Sequence, residues 1–170
     1  MRKDERVSSR ILVILRHAKA ANPEGVLDID RPLTPRGHAD AAAAGAWLTR
    51  RGYQPDLVLC SPARRTRETW HGVALALKAG PAVRYADSVY NAATESLLDL
   101  VRGVDDTISM VLLIGHNPGL SQLSALLDPD ASDPGGLRTA GIAVHTVEGH
   151  WVECGPEGAP LVDAHTARDA

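Results

Sequence analysis

Three short apolar runs lie along the chain, and each is followed at once by polar residues. They are ILVIL at 11–15, DLVLC at 56–60 and SMVLLIG at 109–115. Short continuous apolar runs with β-branched residues are typical of strands that are covered on both faces of a sheet. The pattern therefore predicts three buried strands.

Helical segments separate these strands. Thr34 followed by Pro35 has the pattern of an N-cap with proline in the first helical position, and Gly52 ends that helix. Further helices are predicted from Ser61-Pro62 to about Lys78, from Thr94 onward and over 118–127.

The remaining strand signals are weaker. A strand is predicted at 82–85, and a hairpin at 141–147 and 150–154 turns at Glu148-Gly149. Repeated alternation of strand and helix predicts an α/β fold, a three-layer α/β/α sandwich around a mostly parallel, doubly wound sheet. The hairpin adds an antiparallel edge.

The length of 170 residues suits a single domain, which we assign to residues 10–154. Residues 1–9 are predicted to form a flexible arm, and residues 155–170, which contain Gly and Pro, a C-terminal tail. Because the chain has no Phe, its core must be built mainly from Leu, Val, Ile and Ala.

Charge and cysteine content exclude several classes of function. The net charge of −3 argues against a general nucleic-acid or membrane-surface binder, although it permits a local basic pocket. Cys60 and Cys154 lie far apart without CxxC spacing, so no zinc site or disulfide framework is predicted. The first apolar run is too short for a signal peptide or a membrane span. We expect a cytoplasmic protein without metal or cofactor.

Polar side chains follow the three strong strands at the point where each ends. They are Arg16 and His17 after the first, Ser61, Arg64, Arg65 and Arg67 after the second, and His116 and Asn117 after the third. Ligands of open α/β sheets bind outside the carboxyl ends of the strands. If the strands are parallel neighbours, two histidines and several arginines meet at one edge.

Arginines and histidines in one place are suited to phosphoryl chemistry. The guanidinium fork matches phosphate oxygens, and nearby positive charge favours neutral imidazole. A neutral, fixed imidazole is a nucleophile, and arginines that neutralise the phosphoryl oxygens make a metal unnecessary. Attack by one histidine would give a phosphohistidine intermediate that water hydrolyses.

Four segments carry a resemblance to a known family. LRHAK (15–19), SPARRTRET (61–69) and GHNPG (115–119) resemble the RHG, SPxxRAxQT and second-histidine segments of the histidine phosphatase superfamily, the phosphoglycerate-mutase-like proteins. With RPLTPRG (31–37) and the short length, the chain most resembles the small SixA-type branch, the phosphohistidine phosphatases. The resemblance covers about residues 11–147.

The resemblance implies a role for four residues. His17 would be the nucleophile, Arg16 and Arg65 phosphate ligands, and His116 a donor to the phosphoryl group in the transition state. The chain departs from the family pattern at three positions. Ala18 replaces the usual Gly, Thr66 the usual Ala and Glu68 the usual Gln.

A carboxylic acid that protonates the leaving group is harder to assign. Glu95 is the first candidate, and Asp28 and Asp30 are others. Absence of an acid would favour phosphohistidine over a sugar phosphate, because an alkoxide leaves poorly without a proton. Arg64 and Arg67 fit a solvated helix face with Glu68.

The favoured function is a metal-independent phosphatase that removes phosphate from phosphohistidine on a partner protein and releases inorganic phosphate. The alternatives are a phosphatase for a small phosphorylated metabolite and a non-catalytic phosphate-binding module. The first needs a working general acid, while the second would need only the arginines and not both histidines. A mutase is disfavoured because no long insertion supplies a lid.

Overall fold

A computed structural model describes residues 9–168. These residues contain six strands and four α-helices. The strands are β1 (Ser9–Arg16), β2 (Leu57–Cys60), β3 (Ala82–Tyr85), β4 (Met110–Gly115), β5 (Gly141–Glu148) and β6 (Leu161–Thr166). The helices are α1 (Pro35–Arg50), α2 (Arg64–Ala74), α3 (Thr94–Arg102) and α4 (Gly119–Leu127). Short 3₁₀ turns lie at Asp28–Asp30, Asp87–Val89 and Trp151–Glu153.

The six strands form one sheet in the order β3-β2-β4-β1-β5-β6. The first four of these are parallel, whereas β5 and β6 extend the sheet with antiparallel pairing. This arrangement confirms the predicted α/β fold with a mostly parallel sheet and an antiparallel edge. Since β4 lies between β1 and β2, the carboxyl ends of the three strong strands are adjacent.

Both faces of the sheet are covered. Along β1, Leu12 and Ile14 pack into one buried cluster, while Val13 and Leu15 pack into the other. The helices α3 and α4 cover the first face, and α1 and α2 cover the second. This two-sided burial explains why the strand sequences are continuous apolar runs rather than alternating ones.

The predicted start of α1 is confirmed. The Thr34 Oγ1 accepts a hydrogen bond from the Gly37 N–H at 3.0 Å, with Pro35 in the first helical position. The helix then packs closely on α2, where a Cβ built at Gly72 would lie 2.6 Å from the Ala41 Cβ. The contact fixes α2, which carries Arg65.

The end of the chain differs from the sequence prediction. Residues 151–153 form a 3₁₀ turn, and the prediction of a strand at 150–154 is wrong. Trp151 is fully buried and its indole N–H donates to the Ile108 carbonyl, so this segment closes the core instead of pairing with β5. On the side away from β1, β5 pairs with β6, which lies within the stretch assigned to a C-terminal tail, so residues 161–166 belong to the sheet.

The beginning of the chain is described only from Ser9, which is the first residue of β1. The rest of the predicted arm, residues 1–8, lies outside the described residues. Within residues 9–168, no helix is both long enough and apolar enough to cross a membrane. The cytoplasmic location stays a prediction.

Candidate active site

The carboxyl ends of β1, β2 and β4 bring together the four residues that the sequence singled out. Arg16 ends β1 beside Gly115, the last residue of β4, and the His17 N–H donates to the Gly115 carbonyl at 3.1 Å. The rings of His17 and His116 are 5.4 Å apart between centroids. Arg65 lies in the first turn of α2, directly after β2.

His17 is buried, with 8% of its surface exposed. Its Nδ1 lies 2.7 Å from the Ala18 carbonyl oxygen. Because a carbonyl only accepts, this bond requires the hydrogen on Nδ1 and leaves a lone pair on Nε2. Burial lowers the pKa of His17 from 6.5 to about 4, and the charges of Arg65 and Arg16 lower it further, while the hydrogen bond that Nδ1–H donates to the Ala18 carbonyl raises it. The ring is therefore neutral and has the tautomer that a nucleophile needs.

Thr69 positions the backbone that follows His17. Its Oγ1 accepts a hydrogen bond from the Ala18 N–H at 3.0 Å and donates one to the Arg65 carbonyl at 2.7 Å. One buried hydroxyl therefore connects the segment after β1 with α2. Thr69 closes the SPARRTRET segment, but the sequence alone assigned it no role.

His116 is held by the residue that follows β2. Its Nε2 lies 2.7 Å from the Ser61 Oγ. Its Nδ1 is buried and has no hydrogen-bond partner within residues 9–168. Burial lowers the pKa of His116 to about 3, and the charge of Arg65 contributes in the same direction.

The two arginines have different partners. The Arg16 Nη1 donates to the Leu137 carbonyl at 3.0 Å, and the Asn117 side chain donates to the same oxygen at 2.7 Å. Arg65 is 6% exposed, and its Nη1 donates to the Asp28 carbonyl oxygen at 2.7 Å. The Nε of each arginine is buried without a partner among the described residues.

A carboxylate also lies in the site. The Asp28 Oδ2 accepts from the Arg65 Nη2 at 3.1 Å and from the Tyr90 hydroxyl at 2.5 Å. The Tyr90 ring stands edge-on to His116 at 5.5 Å. Hydrogen bonds from Tyr90, Arg31 and Arg65 lower the pKa of Asp28 to about 2. Tyr90 was missed from the sequence because it lies in a polar stretch with no motif.

Glu95, the first candidate for a general acid, is not among these residues. It is exposed on α3 and lines a concavity together with Leu98, Gln122 and Pro156, and none of the four predicted site residues lines that concavity. Asp30 is exposed on the same 3₁₀ turn as Asp28. Of the three carboxylates named from the sequence, Asp28 is the one that contacts Arg65.

The remaining basic residues of α2 face solvent. The Arg64 Nε lies 3.4 Å from the Glu68 carboxylate, and the exposed Arg67 donates to the Pro62 carbonyl. The other Glu68 oxygen accepts from the Leu33 N–H at 2.9 Å and so holds the segment before α1. Within residues 9–168, no group of three or more His, Cys, Asp or Glu is placed to hold a metal ion.

Comparison with known proteins gives consistent matches. Residues 12–87 match the sequence profile of the histidine phosphatase superfamily (branch 1). An uncharacterized protein of Mycobacterium tuberculosis is 37% identical over 162 residues, which span 91% of this chain and 100% of that protein.

Two solved structures share the fold over nearly their whole length. A Nakamurella multipartitia protein provisionally identified as the phosphohistidine phosphatase SixA is 33% identical, with a TM-score of 0.80 over 94% of this chain and 97% of that one. A protein of Agrobacterium tumefaciens with the same provisional identification is 34% identical, with a TM-score of 0.79 over 92% and 97%.

Proposed function

The chain belongs to the histidine phosphatase superfamily and is a phosphatase, and from this we propose that its substrate is a phosphohistidine side chain on another protein. His17 is the proposed nucleophile, and Arg16, Arg65 and His116 form the phosphate pocket. The neutral, oriented ring of His17 beside a buried arginine supports these roles.

The proposed reaction has two steps. The Nε2 lone pair of His17 forms a bond to phosphorus, while the bond from phosphorus to the substrate ring nitrogen breaks and its electron pair stays on that nitrogen. Arg16, Arg65 and His116 stabilise the charge on the phosphoryl oxygens. Water then attacks phosphorus, and this step releases His17 and inorganic phosphate.

The state of the site carboxylate favours phosphohistidine over an alkyl phosphate. With a pKa of about 2, Asp28 is ionised at neutral pH and holds no proton for a leaving group. An alkoxide needs that proton, whereas the imidazole of phosphohistidine leaves more readily and can take a proton from water. Glu95, exposed on α3, does not supply the proton in this proposal.

The proposal that the substrate is a protein rests on an apolar rim beside the phosphate pocket. It consists of Val26, Leu27 and Ile29, which are 39%, 71% and 37% exposed. These residues flank Asp28 in the sequence, and Asp28 contacts Arg65, the proposed phosphate ligand. Three exposed aliphatic side chains next to the proposed pocket are suited to contact with a protein partner, whereas a small metabolite would leave them uncovered.

The segment that carries the apolar rim is held in place by its backbone. The Asp30 N–H donates to the Leu27 carbonyl, and the Arg31 Nε donates to the Ala21 carbonyl, both at 3.0 Å or less. A surface that is already ordered loses little conformational entropy when a partner covers it. This fits a docking surface for a phosphorylated protein.

The test measures hydrolysis of a histidine-phosphorylated protein, p-nitrophenyl phosphate and an alkyl phosphate, each with EDTA present. We expect turnover of the first two by the native chain, and loss of both in His17→Ala. The control is His38→Ala, an exposed histidine on α1. Preferential turnover of the alkyl phosphate would indicate a metabolite phosphatase, and phosphate binding without any turnover would indicate a binding module.

A further inference from the structure

Both terminal nitrogens of Arg65 donate hydrogen bonds to one residue, Asp28. Nη1 donates to the Asp28 carbonyl oxygen at 2.7 Å, and Nη2 donates to the Asp28 carboxylate at 3.1 Å. In the proposed function these donors bind phosphoryl oxygens. An internal anion therefore occupies a guanidinium that the substrate also needs.

Three donors converge on the Asp28 carboxylate from separate parts of the chain. Arg65 and Tyr90 donate to its Oδ2, and Arg31 donates to its Oδ1 at 3.2 Å. The Arg65 side chain is 7% exposed, while that of Asp28 is 52% exposed. The guanidinium is therefore enclosed by protein, whereas the carboxylate has solvent beside it into which it can be displaced.

We propose that Asp28 is a resident anion of the phosphate pocket. Its carboxylate is bound to Arg65 when the pocket is empty, is displaced when the phosphoryl group of the substrate binds, and returns when phosphate leaves. This inference rests on the proposed function, because it takes Arg65 as a phosphate ligand. It assigns Asp28 neither the general-acid role nor a part in the chemical step.

The consequence is weak retention of the product. Inorganic phosphate must break the pair between Asp28 and Arg65, and it must then tolerate a second anion nearby. The substrate meets the same cost, but a protein substrate gains additional contacts outside the pocket, whereas free phosphate does not. Asp28 thus selects against bare phosphate and limits product inhibition.

A positioning role for Asp28 makes the opposite prediction. If Asp28 served to hold Arg65 ready for phosphate, loss of its charge would leave the guanidinium less well oriented, and phosphate would bind more weakly. The sign of the change in phosphate affinity therefore separates the two roles.

The test is calorimetric titration of the full chain with inorganic phosphate at neutral pH. The variants are Asp28→Asn, which removes the charge and keeps the shape, and Asp28→Ala, which removes the side chain. The matched control is Asp30→Asn, because Asp30 lies on the same 3₁₀ turn and forms no ion pair within residues 9–168. Arg65→Ala tests the pocket itself.

We expect both Asp28 variants to bind phosphate about tenfold more tightly than the native chain, which corresponds to about 1.4 kcal/mol. Asp30→Asn should change the affinity much less, since solvent screens an exposed charge. The proposal of a resident anion would be wrong if both Asp28 variants bound phosphate as tightly as the native chain or more weakly. It would also be wrong if Asp30→Asn increased the phosphate affinity as much as the Asp28 variants do. Native-like binding in Arg65→Ala, or no binding in any protein, would instead reject the phosphate pocket and the proposed function with it.

Discussion

His17 and His116 are expected to stay neutral well below the pH at which an ordinary histidine takes up a proton. The pKa of His17 is about 4 and that of His116 about 3, compared with an ordinary value of 6.5. Burial is the largest cause for each ring, and the charge of Arg65 adds to it. Lowering the pH from neutral toward acid therefore tests whether the two rings stay neutral.

The expected effect on reactivity follows from the lowered pKa of His17. One pH unit below 6.5, an ordinary histidine is neutral in only about a tenth of molecules, while a ring with a pKa of about 4 is neutral in nearly all. The fraction of His17 rings that are neutral, and so able to act as the proposed nucleophile, should therefore be about tenfold larger than for an unperturbed ring.

The lowered pKa of His17 also makes the free energy of unfolding depend on pH, in a direction that can be predicted. Because the folded chain binds the proton less well than the unfolded chain, the free energy of unfolding is at its full value above pH 6.5 and falls as the pH drops toward 4. A fall in pKa of about 2.5 units corresponds to about 3 kcal/mol for the buried His17 ring.

The assay is an NMR titration of the imidazole ring signals, with His17→Asn and His116→Asn to assign them. Urea unfolding at several pH values reports the stability in parallel, and the loss in His17→Asn should be smaller because one buried ring is absent. A His17 titration midpoint near 6.5 would refute the reasoning, since neither burial nor Arg65 would then act on the ring as the structure indicates.

Three further changes test positioning, docking and packing. Thr69→Val should destabilise the fold by about 1–3 kcal/mol, because it leaves a buried N–H unpaired, and should lower kcat/KM for p-nitrophenyl phosphate; urea unfolding and steady-state kinetics check this. Leu27→Asn with Ile29→Asn should lower kcat/KM for a histidine-phosphorylated protein and spare p-nitrophenyl phosphate, while Val162→Asn, at an exposed position on β6, should spare both; equal effects on both substrates would contradict docking. Gly72→Ala should cost about 1–3 kcal/mol in urea unfolding through overpacking of α1 on α2, and native stability would contradict the close contact.

The placement of the site was predictable because local signals and the topology agreed. Each apolar run ended where its strand ends, and the parallel order of β1, β4 and β2 then brought Arg16, His17 and His116 to one edge. The local signals and the topology agree here because buried strands are continuous apolar runs and because helical crossovers make neighbouring strands parallel.

The C-terminal sheet edge was not predictable by the same signals. The strand β6 carries Asp163 and His165 and is mostly exposed or half-buried, so it lacks a continuous apolar run. Conversely, Trp151 and Val152 look like part of a strand, yet the Trp151 side chain closes the core from a 3₁₀ turn. An edge strand has one weakly buried face, and its composition then differs little from that of a loop.

The contacts that complete the site are long-range and leave no trace in the local sequence. Asp28 meets Arg65 from 37 residues away and Tyr90 from 62 residues away. Sequence motifs identified His17 and Arg65, but only the folded chain shows that a carboxylate shares their pocket. For this reason Glu95, in the first turn of α3, was a more visible candidate acid than Asp28, which lies in a short 3₁₀ turn.

An ionised carboxylate and two neutral imidazoles together restrict the substrates of this site. None of these three groups can both hold a proton at neutral pH and release it easily: Asp28 has already lost its proton, and a neutral imidazole is a very weak acid. The reaction rate should then depend steeply on how well the leaving group departs by itself, with aryl phosphates and phosphohistidine far ahead of alkyl phosphates. Similar rates for aryl and alkyl phosphates would require a proton donor, and Tyr90, whose hydroxyl already bonds to Asp28, would be the group to replace by Phe. Because leaving-group ability alone cannot distinguish one phosphohistidine from another, the proposed function assigns selection among partner proteins to the apolar rim beside Asp28.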